Sequence, residues 1–141
     1  MSGSEPNFEK RQSLTQVGSL VEEWVNRASQ DDLLDIYEAL LTTIWNRIIP
    51  TLGRVTVVAI VERALVVTTR RYPQIRYLRL LGHGIDFSAL RQHAGETSRE
   101  SLHESLRELV TNLVYILAML TGDILVRQLI KDLEGDARHD C

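Results

Sequence analysis

The sequence predicts an all-α fold: a helical bundle of about five helices with one irregular connector near residues 74–96. Three observations carry this expectation. Apolar residues recur at alternating spacings of three and four, the period of a helix that buries one face. The three prolines and eight glycines fall mostly between the periodic segments rather than inside them. Hydrophobic residues make up 44% of the chain and charged residues 25%, a balance that supplies a core and argues against wholesale disorder. With 141 residues there is room for one domain. Its expected limits are a flexible lead at 1–8, a single bundle at 9–134 and a frayed tail at 135–141.

The first helix is expected between about Glu9 and Ser29, where Leu14, Val17, Val21, Trp24 and Ala28 form a heptad seam on an otherwise polar segment. At barely two heptads the seam is too short for a free-standing coiled coil, so it needs a surface to lie on. A second helix follows in "SQDDLLDIYEALLTTIWNRIIP". Ser29 or Asp31 can cap it, and Asp31, Asp32 and Asp35 suit the positive end of its dipole. Pro50 ends or kinks it.

"TLGRVTVVAIVERALVVTTRRYP" is ambiguous locally. Residues 55–61 are β-branched enough for a buried strand. Positions 54, 58, 61, 65, 68 and 72 nevertheless keep a helical stripe over some eighteen residues, and that length predicts a helix stopped at Tyr72-Pro73. The connector follows, with either a short hairpin around Gly82-His83-Gly84 or a loop carrying a helical turn at "SALRQH". Thr97 and Glu100 have capping-box spacing and open a long helix with Leu102, Leu106, Leu109, Leu113, Leu117 and Leu120 or nearby residues on its core face. Thr121-Gly122-Asp123 kinks that helix or separates it from a last one, Ile124–Leu133, which Gly135 is expected to end.

The net charge of −3 is unevenly spread. Residues 51–93 carry seven arginines against Glu62 and Asp86, whereas the segments on either side are acidic. Arg63, Arg70, Arg71, Arg76 and Arg79, interleaved with Tyr72 and Tyr77, are the candidate partner or anion surface, because charge and irregular backbone coincide there. A basic and aromatic mixture can also track a nucleic-acid backbone, but the acidic total and the lack of a binding module argue against that partner. The simpler expectation is that these arginines pair with the acidic segments, within one copy or between copies.

Chemistry finds little to stand on. Cys141 is the only cysteine, which excludes a disulfide framework within the chain and a zinc spacing. No phosphate-cradling glycine loop or glycine-flanked serine is present. Glu100 and His103 have the Glu-x-x-His spacing of di-iron bundles, but such a site needs the motif twice; no metal or other cofactor is expected. Of the four histidines, His83, His93 and His103 stand ten residues apart, which is no period of helix or strand. "HESLREL" is similar to the phosphoacceptor box of sensor histidine kinases, with one residue inserted and the following proline missing. His103 is therefore the alternative phosphoacceptor, in a histidine phosphotransfer protein. A further alternative is a small-molecule sensor that binds inside the bundle near Trp45, Tyr115 and Met119.

Segments 33–49, 55–67 and 106–130 are apolar on more than one face, more than a small bundle encloses by itself. Burying the surplus against a second copy, with Leu14, Val17, Val21 and Trp24 as the oligomer seam, resolves this, and a dimer is the favoured order. The stretch 109–126 contains Asn112 and Asp123 and reads as a buried helix, not a membrane span. The start of the chain has no signal-peptide pattern, so a cytoplasmic location is expected.

"VERALVVTTRRYP", "GIDFSALRQ" and "LVYILAMLTGDILVRQLIKDL" together resemble small all-helical domains of bacterial and archaeal signalling proteins. Those domains occur alone or beside sensor histidine kinases and RecA-like clock-type ATPases. The resemblance covers roughly residues 31–134, and its motifs are short and mostly apolar. It implies an oligomerising, partner-binding module in signal transduction and supplies no catalytic residues.

Overall fold

The structure is a computed structural model that describes residues 33–139 and the single position Ser19; nothing is described of the side chains at 123–125 and 135–139. The expected first helix and its seam, Leu14, Val17, Val21 and Trp24, therefore lie outside the described residues. Within them the fold is predominantly helical, a bundle with one small two-stranded sheet.

Helix α1, Leu33–Leu52, buries Leu33, Tyr37, Leu40, Leu41, Ile44, Trp45 and Ile48, one stripe at three-four spacing. Pro50 sits inside its last turn, and the helix ends two residues later. Gly53 makes the corner: its φ of 82° and ψ of 158° belong to a region that side-chain-bearing residues avoid. Its N–H donates back to Ile49 (2.8 Å) while its carbonyl receives the N–H of Val57 (3.1 Å), so one residue closes one helix and opens the next.

Helix α2, Arg54–Arg71, contains the whole β-branched run 55–61, which is thus helix and not strand. It buries Val57, Ile60, Val61, Ala64 and Thr68, again one helical face. Packing against the long helix described below decides the conformation where propensity opposes it. Tyr72, restricted by the following proline, leaves the helix with φ −127° and ψ 88°. A 3₁₀ turn, Pro73–Tyr77, then leads into a hairpin of β1, Arg79–Leu81, and β2, Gly84–Asp86. The strands are antiparallel in the register Arg79 opposite Asp86, Leu80 opposite Ile85 and Leu81 opposite Gly84. The two connector alternatives both occur, because the short helix α3, Ser88–His93, follows the hairpin directly.

Helix α4, Arg99–Thr121, is capped by Ser98, whose side chain accepts from the Ser101 N–H at 3.1 Å. The cap lies one residue beyond the expected Thr97–Glu100 pair, since Ser98 is itself still extended and the helix begins only at Arg99. Gly122, at φ 77°, separates α4 from α5, Asp123–His139. Helix α5 runs through Gly135, where the sequence pattern places its end. Val126, Leu129, Ile130 and Leu133 on α5 join Leu106, Leu109, Leu113 and Leu117 of α4 in one continuous core.

One polar link crosses that core. Thr68, fully buried, donates to the Ala64 carbonyl (2.7 Å) and accepts from the Asn112 amide (2.9 Å), which fixes α2 against α4. Arg71 pairs with Glu108 one turn further along the same interface. The two helices are therefore antiparallel, and the C-terminal end of α2 lies with the first half of α4.

Candidate partner-binding site

The connector leaves α2 at Tyr72-Pro73 and turns back against it. Leu65, Val66, Thr69 and Arg70 on the outer side of α2 thereby face Ile75, Arg76 and Leu78. Between them lies an open groove of about 370 Å³. Ile75 and Leu78 are buried and belong to the core, whereas Val66 is 44% exposed and stands as a wall. Arg70 and Arg76 are the charged residues among those that line it, so a mostly apolar groove has two basic side chains beside it. Gln74 holds the connector in place by donating to the Ser101 hydroxyl of α4 at 3.1 Å.

Arg76 is itself positioned. Its guanidinium lies 5.1 Å from the centroid of the Tyr77 ring and donates to the Tyr77 hydroxyl at 3.2 Å. That hydrogen bond pushes the Arg76 pKa above its already high ordinary value. Tyr77 stacks in turn on His93, with ring centroids 4.0 Å apart and planes within 7°, and His93 Nδ1 pairs with Glu96.

The five arginines singled out in the sequence do not act as one cluster. The groove brings Arg70 and Arg76 together. Arg71 turns to Glu108 at 3.5 Å and lies 5.7 Å from the Tyr72 ring centroid, a structural pair between α2 and α4. Arg63 and Arg79 are exposed and do not line the groove. Arg63 and Arg70 are two turns apart and share the outer face of α2. The arginine that the sequence reading passed over is Arg91. On α3 it pairs with Asp35 (2.8 Å) and with Glu38, tying the connector to the start of α1. The signal was present in the acidic first turn of α1, facing a basic middle segment.

The three evenly spaced histidines stay apart. His83 is exposed at the hairpin tip, His93 is stacked on Tyr77, and His103 lies half-buried on α4. The His103 ring is 5.9 Å from that of Tyr37, tilted by 51°. It is therefore not the freely solvated imidazole that phosphotransfer favours. No group of three or more metal-ligating side chains exists among the described residues, so Glu100 and His103 gain no further ligands there.

Trp45 is buried in the core, whereas Tyr115 and Met119 are 46% and 56% exposed on the outside of α4, so these three do not surround an interior ligand. With Leu120, 65% exposed, Tyr115 and Met119 form an outward apolar strip along the last two turns of α4. No described helix is long and apolar enough to cross a membrane. Compared with protein-family models, curated proteins and solved structures, the chain has no match.

Proposed function

We propose that this chain is a non-catalytic, oligomerising module that binds a protein partner, with a homodimer as its basic form and a role in cytoplasmic signal transduction. The observation that carries the reading is the groove at the end of α2, where a mostly apolar lining has two arginines beside it, Arg70 and Arg76. Interfaces favour this combination, because buried apolar area supplies attraction while arginines at the edge supply orientation and selectivity. The outward strip of Tyr115, Met119 and Leu120 points the same way, since large apolar side chains grouped on a surface mark contact regions. The signalling role rests on the likeness of "VERALVVTTRRYP", "GIDFSALRQ" and "LVYILAMLTGDILVRQLIKDL" to helical domains of signalling proteins.

Native mass spectrometry of the purified chain at micromolar concentration tests the proposal. A dimer without additional mass is the expected result. A monomer at every concentration, or a chain that carries a bound small molecule, overturns it.

A further inference from the structure

From the groove we infer an interaction surface with a defined occupant: the amphipathic segment 9–29 of a second copy, with Leu14, Val17, Val21 and Trp24 against the accessible walls formed by Leu65 and Val66. This inference rests on the oligomeric reading above and specifies which surfaces meet.

Three observations lead to it. The first is where the segment joins the fold. Only residues 30–32 separate Ser29 from Leu33, the start of α1. A helix returning along α1 over so short a link meets the outer stripe Asp35, Ala39, Thr42 and Asn46, which is exposed and polar or small. The outer stripe of its own α1 thus gives the seam little apolar surface beyond the partly buried edges of Leu34, Ile36 and Ile49, and another copy can supply it. The second is position in the bundle. α1 and α2 are joined by the single residue Gly53, so the start of α1 and the end of α2 lie at the same end of the molecule. Arg91 of α3, paired with Asp35 and Glu38, places the connector there as well. The point where the segment joins α1 and the groove therefore lie at the same end, and two copies related by a two-fold axis can exchange their segments reciprocally, which closes the assembly at a dimer.

The third is charge. Residues 1–32 carry six acids, among them Glu22 and Glu23, against three bases. The groove has Arg70 and Arg76 beside it, and Arg63 stands further along the same face of α2. Glu22 lies off the apolar seam and can approach one of these arginines while Val21 and Trp24 face the apolar walls. From Leu14 to Trp24 the seam spans about 15 Å as a helix, a length of roughly three turns. An isolated stretch of that kind is marginal in water and gains from a docking surface.

The test uses full-length chains with Cys141→Ser as background. One population carries Val17→Cys, and a second, isotopically heavy one carries Val66→Cys. After mixing and equilibration, a short bis-maleimide is added and the products are weighed. The expected result is a cross-linked pair of intermediate mass, which can only join two different copies. Arg70→Glu together with Arg76→Glu in the heavy chain lowers its yield about tenfold. The double replacement by lysine, with far-UV circular dichroism unchanged for both variants, keeps most of the yield. A native dimer that gives no 17–66 product overturns this inference and leaves the oligomeric reading standing, since the seam then lies on another surface. A chain carrying both cysteines that links only within itself places the segment in its own groove, which also overturns it. A monomer at all concentrations overturns both.

Discussion

Thr68 and Asn112 form the polar link inside the interface between α2 and α4, and their removal has a calculable cost. Thr68 is 0% exposed and uses both capacities of its hydroxyl, donating to Ala64 and accepting from Asn112. Thr68→Val keeps the shape but strands the half-buried Asn112 amide, at a cost of about 1–3 kcal/mol. Asn112→Leu removes the amide and leaves the Thr68 hydroxyl its bond to Ala64, so its cost is about 1 kcal/mol. With both substitutions an apolar pair of similar volume replaces the polar one, and the double variant is expected to lie within about 1 kcal/mol of the parent. The pair should therefore show a coupling energy of about 1–4 kcal/mol. Urea unfolding followed by far-UV circular dichroism at one fixed protein concentration measures all four corners of the cycle, with an unchanged m-value as the check that only stability has moved. Costs that simply add would refute the reasoning, because they would mean that the bond does not hold the two helices together.

Other substitutions report on separate features of the fold. Gly53→Ala meets no atom within 4 Å of its new Cβ, so its cost is purely conformational; unfolding should show a loss of about 1–3 kcal/mol from the disfavoured backbone region. Arg91→Ala frees α3 from the start of α1, but its partners are solvent-exposed, so the loss should stay below about 1 kcal/mol and shrink in high salt. The Asp86 carboxyl accepts from the Ser88 hydroxyl (2.7 Å) and N–H (3.0 Å), and these bonds hold its pKa below the ordinary value. Because the folded pKa is depressed, its contribution is complete above the unfolded-state pKa of about 3.9 and is lost as pH falls through the folded value. In Ser88→Ala the titration of Asp86, followed by carboxyl-carbon NMR, should move upward. An unmoved titration would mean that the hydroxyl does not set it.

Helix positions were legible in the sequence wherever one face had to be buried. The expected stripe from Leu102 to Leu117 is buried in α4, whereas Leu120, expected on the same face, is 65% exposed at the helix end. In α1 the apolar run 33–49 buries one stripe and leaves Leu34, Ile36 and Ile49 partly exposed. The run 55–61 is helical, as the long-window period predicts, but the buried face is Val57, Ile60, Val61, Ala64 and Thr68. That face is rotated from the expected stripe at 54, 58, 61, 65, 68 and 72, of which Val61 and Thr68 alone are buried. Boundaries were less legible. Thr97 and Ser98 both have capping side chains, and the chain's entry from the turn at Ala94–Glu96 leaves Ser98, not Thr97, in position to reach the first free N–H groups. Gly135 permits a helix to end without obliging it to. The groove could not be read at all, because it depends on how sharply the chain reverses at Tyr72-Pro73. Leu65 and Leu78 are thirteen residues apart, and no spacing rule brings them to one surface.

The arginines separate into two uses by a simple geometric rule. Where a carboxylate lies on a packed neighbouring element, the arginine pairs with it at the surface: Arg71 with Glu108 of α4, and Arg91 with Asp35 and Glu38 of α1. Arg70 immediately precedes Arg71, yet one residue is a rotation of about 100° on a helix, enough to turn the side chain from α4 to the groove that it lines. Adjacent residues of the same type thus serve stability and surface charge respectively. The net excess of arginine in residues 51–93 persists after these pairs form, since Arg63 and Arg70 have no ion-pair partner among the described residues. Like charges gathered on one face repel, and the fold tolerates them only weakly stabilised by solvent and salt. An acidic segment laid beside them removes that repulsion as it buries the apolar walls, so charge and hydrophobicity favour the same partner at the same place.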